Sequence, residues 1–200
     1  MQLLPKPGLQ GLTVERAIDQ RRSARSFTQR SVPQAQLSQL LHATAGITGK
    51  AFDKPLRSVP SAGALFPVEV YVAVHAVDEV KPGLYHYRAE GHGLELVVAG
   101  DLRQELTSIG LGQRLFGEAA LSVVLTAVAE RTERKYRHLT SRFIAIEVGH
   151  AAQNLLLQAT SLGLGAVAVG VFKENELNRL LNLNTAKEEA LYLVGVGATP

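Results

Sequence analysis

The run SRFIAIEVGHAAQNLLLQATSLG (141–163) constrains the fold more than any other part of the chain. Its apolar residues (Phe143, Ile144, Ile146, Val148, Ala151, Ala152, Leu155, Leu156, Leu157, Ala159 and Leu162) cover most of a helix circumference. A helix apolar nearly all round is expected to be buried, so the spacing predicts a central helix with Gly163 as its cap. His150 within it reads as a core histidine. The chain has 200 residues, 46% of them apolar, which suits one domain over 1–200 with a real core.

Around that helix the signals alternate. Thr13 can cap a helix over 14–20, with Glu15 in its first turn. Ser31, Pro33 and the periodic Leu37, Leu40, Leu41, Thr44 and Ala45 predict a second helix. Residues 46–67, with Gly46, Gly49, Pro55, Pro60, Gly63 and Pro67, read as loop. VEVYVAVHAV (68–77) is a strand, and LYHYR (84–88) and LELVVAG (94–100) suggest antiparallel pairing. Short helices are expected over 101–109 and 113–119, and a buried strand over 120–129. After the central helix come a buried strand (165–172), a short helix (174–182) and a last strand (191–198). This order is α+β: a mixed, mainly antiparallel sheet flanked by helices.

Composition narrows the function. The net charge is +3 with the charges dispersed, and 6% of residues are aromatic. A nucleic-acid protein usually shows a broader basic face, so no nucleic-acid partner is expected. No apolar run spans a bilayer and MQLLPKPGLQG does not resemble a signal peptide, so a cytoplasmic location without membrane contact is the expectation. No cysteine is present, which removes disulfides and thiol chemistry. The six histidines lack metal-site spacing, and no metal is expected. There is no dinucleotide glycine fingerprint after a strand, no phosphate loop of the nucleotide-hydrolase type and no G-x-S-x-G elbow.

The stretch RRSARSF (21–27) follows the first helix. Its cations suit a helix C-terminus, which the sequence chemistry favours, and its guanidinium forks and hydroxyls also suit an anion site. Composition alone leaves both readings open.

Taken with PSAGALFPVEVYVAV (60–74), this stretch resembles the nitroreductase superfamily, from about residue 13 to 197. Members carry R-x-S-x-[RK] after the first helix, a P-S loop ahead of a strand, and a strand like GLGAVAVGVF (163–172). KPGLYHYRAEGHGLELV (81–97), the KY pair at 135–136 and EVGHAAQNLLLQATSLGLG (147–165) are similar to the SagB-type subfamily, which includes azoline oxidases. The resemblance implies an FMN-dependent oxidoreductase with hydride transfer through flavin N5. It also implies a homodimer whose P-S loop reaches the flavin held mainly by the partner.

The implied cofactor residues are Arg21, Ser23 and Arg25 for the phosphate and ribityl chain, with Arg22 lining the pocket through its backbone. Pro60, Ser61, Ala62, Gly63 and Ala64 form the close-approach loop, and Ala168, Val169 and Gly170 form the strand reaching N5. Tight strand packing is the lesser alternative for Gly170. Lys135 and Tyr136 are implied as the catalytic pair for deprotonating a peptide azoline, with an exposed charged loop as the equal alternative. A nitroaromatic or quinone reductase using NAD(P)H as co-substrate, and a non-catalytic flavin-binding protein, are the competing functions. Many members place a phosphate-binding cation after the last strand. GVGATP (195–200) has none, so Arg57 or the first motif is expected to serve.

Overall fold

A computed structural model describes residues 1–51 and 54–200. Seven antiparallel strands form the main sheet: β1 (Gln2–Leu3), β4 (Val68–Val74), β5 (Gly83–Arg88), β6 (Gly93–Ala99), β7 (Leu121–Val128), β8 (Gly165–Val169) and β9 (Glu188–Gly197). Their spatial order is β1-β6-β5-β4-β7-β9-β8. Among the described residues, parallel pairing is confined to isolated bridges, Ser23 with Ala166 and Val32 with Val77.

The central strands are apolar on both faces because helices cover both. Along β4, Val68, Val70, Val72 and Val74 face one core, and Tyr71 and Ala73 face the other. In β7, Leu121, Val123 and Leu125 alternate in the same way with Val124. This is the period-two projection of strand side chains. The first core is closed by α2 (Gln34–Ala45) and α6 (Thr140–Ser161), and the second by α3 (Arg103–Ile109), α4 (Leu115–Glu118) and α7 (Glu174–Leu180). Each fully buried Leu or Val contributes about 1.5–3 kcal/mol.

Helix α1 (Val14–Gln20) starts as expected, with the Thr13 hydroxyl accepting from the Arg16 N–H at 3.5 Å. Three expectations are corrected. Residues 46–67 are not all loop: β2 (Ile47–Ala51) and β3 (Lys54–Arg57) pair as a separate antiparallel ribbon. Positions 52 and 53 of that stretch lie outside the described residues. The charged run RTERKYRH is helical, forming α5 (Ala129–Tyr136) and a following 3-10 turn.

The third correction concerns α6. Its buried residues, among them Ile144, Val148, Ala151, Ala152, Leu155 and Ala159, face the sheet and α2. Ala145, Ile146, Gly149, His150 and Gln153 are exposed. The helix lies in an outer layer, so one chain covers only one side of it, and His150 is not a core histidine.

Candidate active site

Antiparallel pairing gathers several chain ends at one end of the sheet. The start of β4 lies opposite the end of β7, Val68 facing Ala127, and the start of β9 lies beside it. β8 runs in the same direction as β7, so Gly170 leaves the sheet at this end too. The 60–67 loop, α5 and the 168–170 segment are therefore neighbours of one sheet end.

The 60–67 loop is tightly wound. Ala62–Ala64 form a single 3-10 turn, and Gly63, Ala64 and Phe66 have φ of 64°, 52° and 45°. Left-handed backbone at the two non-glycine positions costs of order 1–3 kcal/mol each and persists only when the surroundings dictate it. Those surroundings are visible. The Ser61 Oγ accepts from the Phe66 N–H at 2.9 Å and closes the loop. Arg131 Nη1 donates to the Phe66 carbonyl at 2.8 Å, and Arg57 Nη1 donates to the Val68 carbonyl at 3.2 Å.

Lys135 and Tyr136 close over this loop. A Cβ built on Gly63 would stand 3.0 Å from both Lys135 Nζ and Tyr136 Oη. The Lys135 ammonium lies 5.4 Å from the Tyr136 ring centre, and that ring packs on Phe143 of α6 at 4.6 Å. Arg137 follows at φ 45° and turns the chain from α5 into α6. The structure therefore brings together two sequence candidates, the PSAGA loop and the Lys-Tyr pair, within one chain.

Beneath the loop lies an ionic group that sequence reasoning missed. Glu69 Oε2 sits 2.8 Å from His86 Nε2, and its other oxygen sits 2.6 Å from Arg131 Nη1. Burial acts to raise the Glu69 carboxyl, but His86 and Arg131 outweigh it and hold the group below its ordinary value. Glu147 of α6 is 3% exposed and faces Ser61 and the Val68 backbone, with Arg57 and Arg131 also near. Burial raises its carboxyl, and these neighbours only partly offset that. A carboxylate inside a helix apolar nearly all round was the available signal.

The first motif occupies a different place. Ser23 bridges Ala166 of β8, and the Ala24 N–H donates to the Ala166 carbonyl at 3.1 Å. Phe27 explains the end of RRSARSF: it is 6% exposed and anchors the segment in the second core. Arg22 Nη1 donates to the Asp19 and Arg21 carbonyls, both at 2.8 Å, so it caps α1. Arg21 and Arg25 have no ion-pair or hydrogen-bond partner for their side chains among the described residues. The helix-end reading of this stretch thus holds for Arg22, while the Arg21 and Arg25 side chains point to no partner among the described residues.

Arg57 does not join that segment. It pairs with Glu90 at 3.6 Å and lies over the Phe66 ring at 5.4 Å, within the 60–68 group. Among the described residues, no hydrogen bond or ion pair links segment 21–25 to the 60–68 loop. Gly170 is exposed, and a Cβ there would meet only the Tyr192 ring, at 3.6 Å. Packing within this chain does not require glycine at 170. Beside it a cavity of about 370 Å³ is lined by Ile144, Val148, Glu189, Leu191 and Tyr192. Among the described residues no cluster of His, Asp and Glu could hold a metal, and no helix is long and apolar enough to cross a membrane.

This fold and site define a class, and comparison with known proteins agrees. The model of the nitroreductase family matches residues 18–198. Two proteins bearing the name "putative nitroreductase" are similar over nearly their whole length. One, from Methanocaldococcus jannaschii, is 37% identical over 191 residues, covering 96% of this chain and 93% of its own. The other, a crystal structure from Ralstonia eutropha JMP134, superposes with a TM-score of 0.84 at 32% identity, covering 100% of this chain and 89% of its own. The Escherichia coli microcin B17-processing protein McbC is 27% identical over 134 residues, 64% of this chain and 49% of McbC. The chain thus matches about half of that protein.

The chain belongs to the nitroreductase family and is an oxidoreductase of that family.

Proposed function

We propose that the protein is an FMN-dependent oxidoreductase of SagB type, working as a homodimer on a peptide azoline. The observation that carries this reading is the packing of Lys135 Nζ and Tyr136 Oη against Gly63. A potential proton acceptor and a close-approach loop, distant in sequence, meet at one sheet end. Similarity to McbC, whose name assigns it to microcin B17 processing, supports the peptide substrate.

The residues fit FMN. Arg21, Ser23 and Arg25 offer charge-assisted donors for its phosphate, and the two arginines are unpaired among the described residues. Pro60, Ser61, Ala62, Gly63 and Ala64 present small side chains and backbone to a flat ring. Ala168, Val169 and Gly170 approach it from the sheet, with no Cβ at the last position. When bound, FMN supplies hydride exchange at its N5. The protein binds the phosphate, orients the substrate and takes its proton at Lys135 or Tyr136. The lack of a hydrogen bond or ion pair between the 21–25 and 60–68 groups among the described residues supports a site assembled from two protomers.

A second reading is a nitroaromatic or quinone reductase using NAD(P)H, favoured by the two relatives similar over their full length. The absorption spectrum of the purified protein tests the shared claim. Flavin bands are expected, with FMN and not FAD released on heating. A colourless protein that takes up no added FMN refutes both readings. Turnover of a thiazoline peptide, set against NAD(P)H with a quinone, then separates them.

A further inference from the structure

One nitrogen of Arg131 serves two partners. Its Nη1 donates to the Phe66 carbonyl of the 60–68 loop at 2.8 Å and stands 2.6 Å from Glu69 Oε1 on β4. Glu69 is held from its other side as well. Its Oε2 lies 2.8 Å from His86 Nε2 on β5, and the His86 ring stacks on Tyr71 at 4.4 Å and 13°. The His86 and Glu69 side chains are 13% and 12% exposed, so the sheet fixes the carboxylate independently of Arg131. Hydrogen bonds to a carboxylate are roughly twice as strong as neutral ones, and enclosure limits their screening by salt. The Arg134–Glu130 pair on the same helix is a contrast: it is exposed, lies within α5 and ties it to nothing else.

The clasp lies one turn from the Lys-Tyr pair. Arg131 and Lys135 are four residues apart on α5, so both side chains leave the same helix face. The loop therefore meets α5 at two levels, Phe66 at Arg131 and Gly63 at Lys135 and Tyr136. At the second level Lys135 Nζ and Tyr136 Oη stand 3.0 Å from a Cβ built on Gly63, and neither makes a hydrogen bond among the described residues. Their place is set from elsewhere. Among the described residues, the side-chain hydrogen bonds and ion pairs that join α5 to the loop and sheet are those of Arg131. Left-handed backbone at Ala64 and Phe66 means that the loop does not hold its shape by its own preference.

We propose that Arg131 is a positioning residue: anchored on Glu69, it locks the Phe66 carbonyl to α5 and so sets where Lys135 Nζ and Tyr136 Oη stand over the 60–64 loop. This deepens the proposed function. It rests on that reading for the role of the Lys-Tyr pair, but not for the geometry.

The test uses the full chain as purified, labelled with 3-fluorotyrosine. The five tyrosines, at 71, 85, 87, 136 and 192, give five fluorine resonances, and Tyr136→Phe and Tyr85→Phe assign two of them. Arg131→Met and Arg131→Lys both keep the apolar stem, but only lysine keeps a donor at its tip. Arg131→Met is expected to move the Tyr136 resonance while that of Tyr85, buried in β5, stays in place. Arg131→Lys should leave Tyr136 near its wild-type position, because a single nitrogen serves both partners. Glu69→Leu removes the anchor and should move Tyr136 in the same direction as Arg131→Met. A simple field effect would move it in opposite directions, since the two variants remove opposite charges. Glu69→Gln makes the same comparison if Glu69→Leu does not fold.

In turnover of a thiazoline peptide, Arg131→Met should lower kcat by about 10²-fold with KM little changed, the cost of a misplacement near 1 Å. Arg131→Lys should recover most of that rate. An unmoved Tyr136 resonance in Arg131→Met overturns the proposal. So do opposite shifts in the Arg131 and Glu69 variants, Arg131→Lys behaving like Arg131→Met, or a loss confined to KM. A wild type that never oxidises an azoline sinks the functional reading instead, and the fluorine shifts still judge Arg131.

Discussion

Ser23 pairs with Ala166 in a single parallel bridge at the outer edge of β8. That bridge holds segment 21–25 against the strand that ends at Val169, just before Gly170. It also divides the arginines: Arg22 turns back onto the Asp19 and Arg21 carbonyls, while Arg25 has no side-chain partner among the described residues.

Arg25→Ala is therefore expected to weaken FMN binding more than Arg22→Ala. A lost hydrogen bond to a charged group costs roughly 1.5–3 kcal/mol, or about ten- to a hundredfold in Kd. Fluorescence titration of the flavin measures it. Equal effects, or negligible ones, would remove segment 21–25 from the phosphate site.

The Lys135→Ala, Tyr136→Phe double variant should keep FMN and still reduce a quinone. It should fail to oxidise a thiazoline peptide, since a positioned acid or base contributes about 10²–10⁴-fold. Full-rate azoline oxidation by the variant would return the pair to the status of charged helix surface.

The protein is expected to be a C2 dimer closed through the exposed side of α6. Ile146 is 48% exposed and Val171 69%, beside a cavity lined by Ile144, Val148 and Leu191. An obligate interface of this kind buries on the order of 2,000–5,000 Å². Each 60–64 loop would then serve the partner's cofactor, so dilution to monomer should release FMN. Light scattering at micromolar concentration checks it, and a stable monomer holding one FMN would contradict it.

Stability should fall in mild acid through His75. Its ring nitrogens are buried without a hydrogen-bond partner, and Asp101 stands 3.4 Å from Nδ1. Burial and then Arg103 push the imidazole down to about 4 from 6.5, with Asp101 opposing. The folded state thus resists a proton that the unfolded chain accepts below 6.5. Between pH 6.5 and 4 the unfolded state binds more protons, so folding stability decreases as pH falls, by about 1.4 kcal/mol per pH unit at most. Urea midpoints for the wild type and His75→Gln across that window test it. Parallel curves would show that another group carries the acid sensitivity.

Much of this molecule was legible without coordinates. The strands around Val70, Val124 and Val194, and the helices around Ala17, Leu40 and Leu155, follow from local periodicity, which a sequence carries directly. So do the motif positions, because RRSAR, PSAGA and the Lys135–Tyr136 pair are contiguous. What periodicity could not say is which neighbour covers a face. The exposed side of α6, with Ile146 and His150, reads as buried until the layer order leaves it uncovered. The 47–57 ribbon was hidden because its prolines and glycines resemble loop, and only pairing between its two arms makes it a sheet. The clasp of Arg131 on Phe66 belongs to tertiary structure alone. These partners are far apart along the chain, and antiparallel pairing of β4 with β7 brings the 60–68 loop and α5 to one sheet end. Contact energies at that end depend on distance in space, which no local pattern encodes.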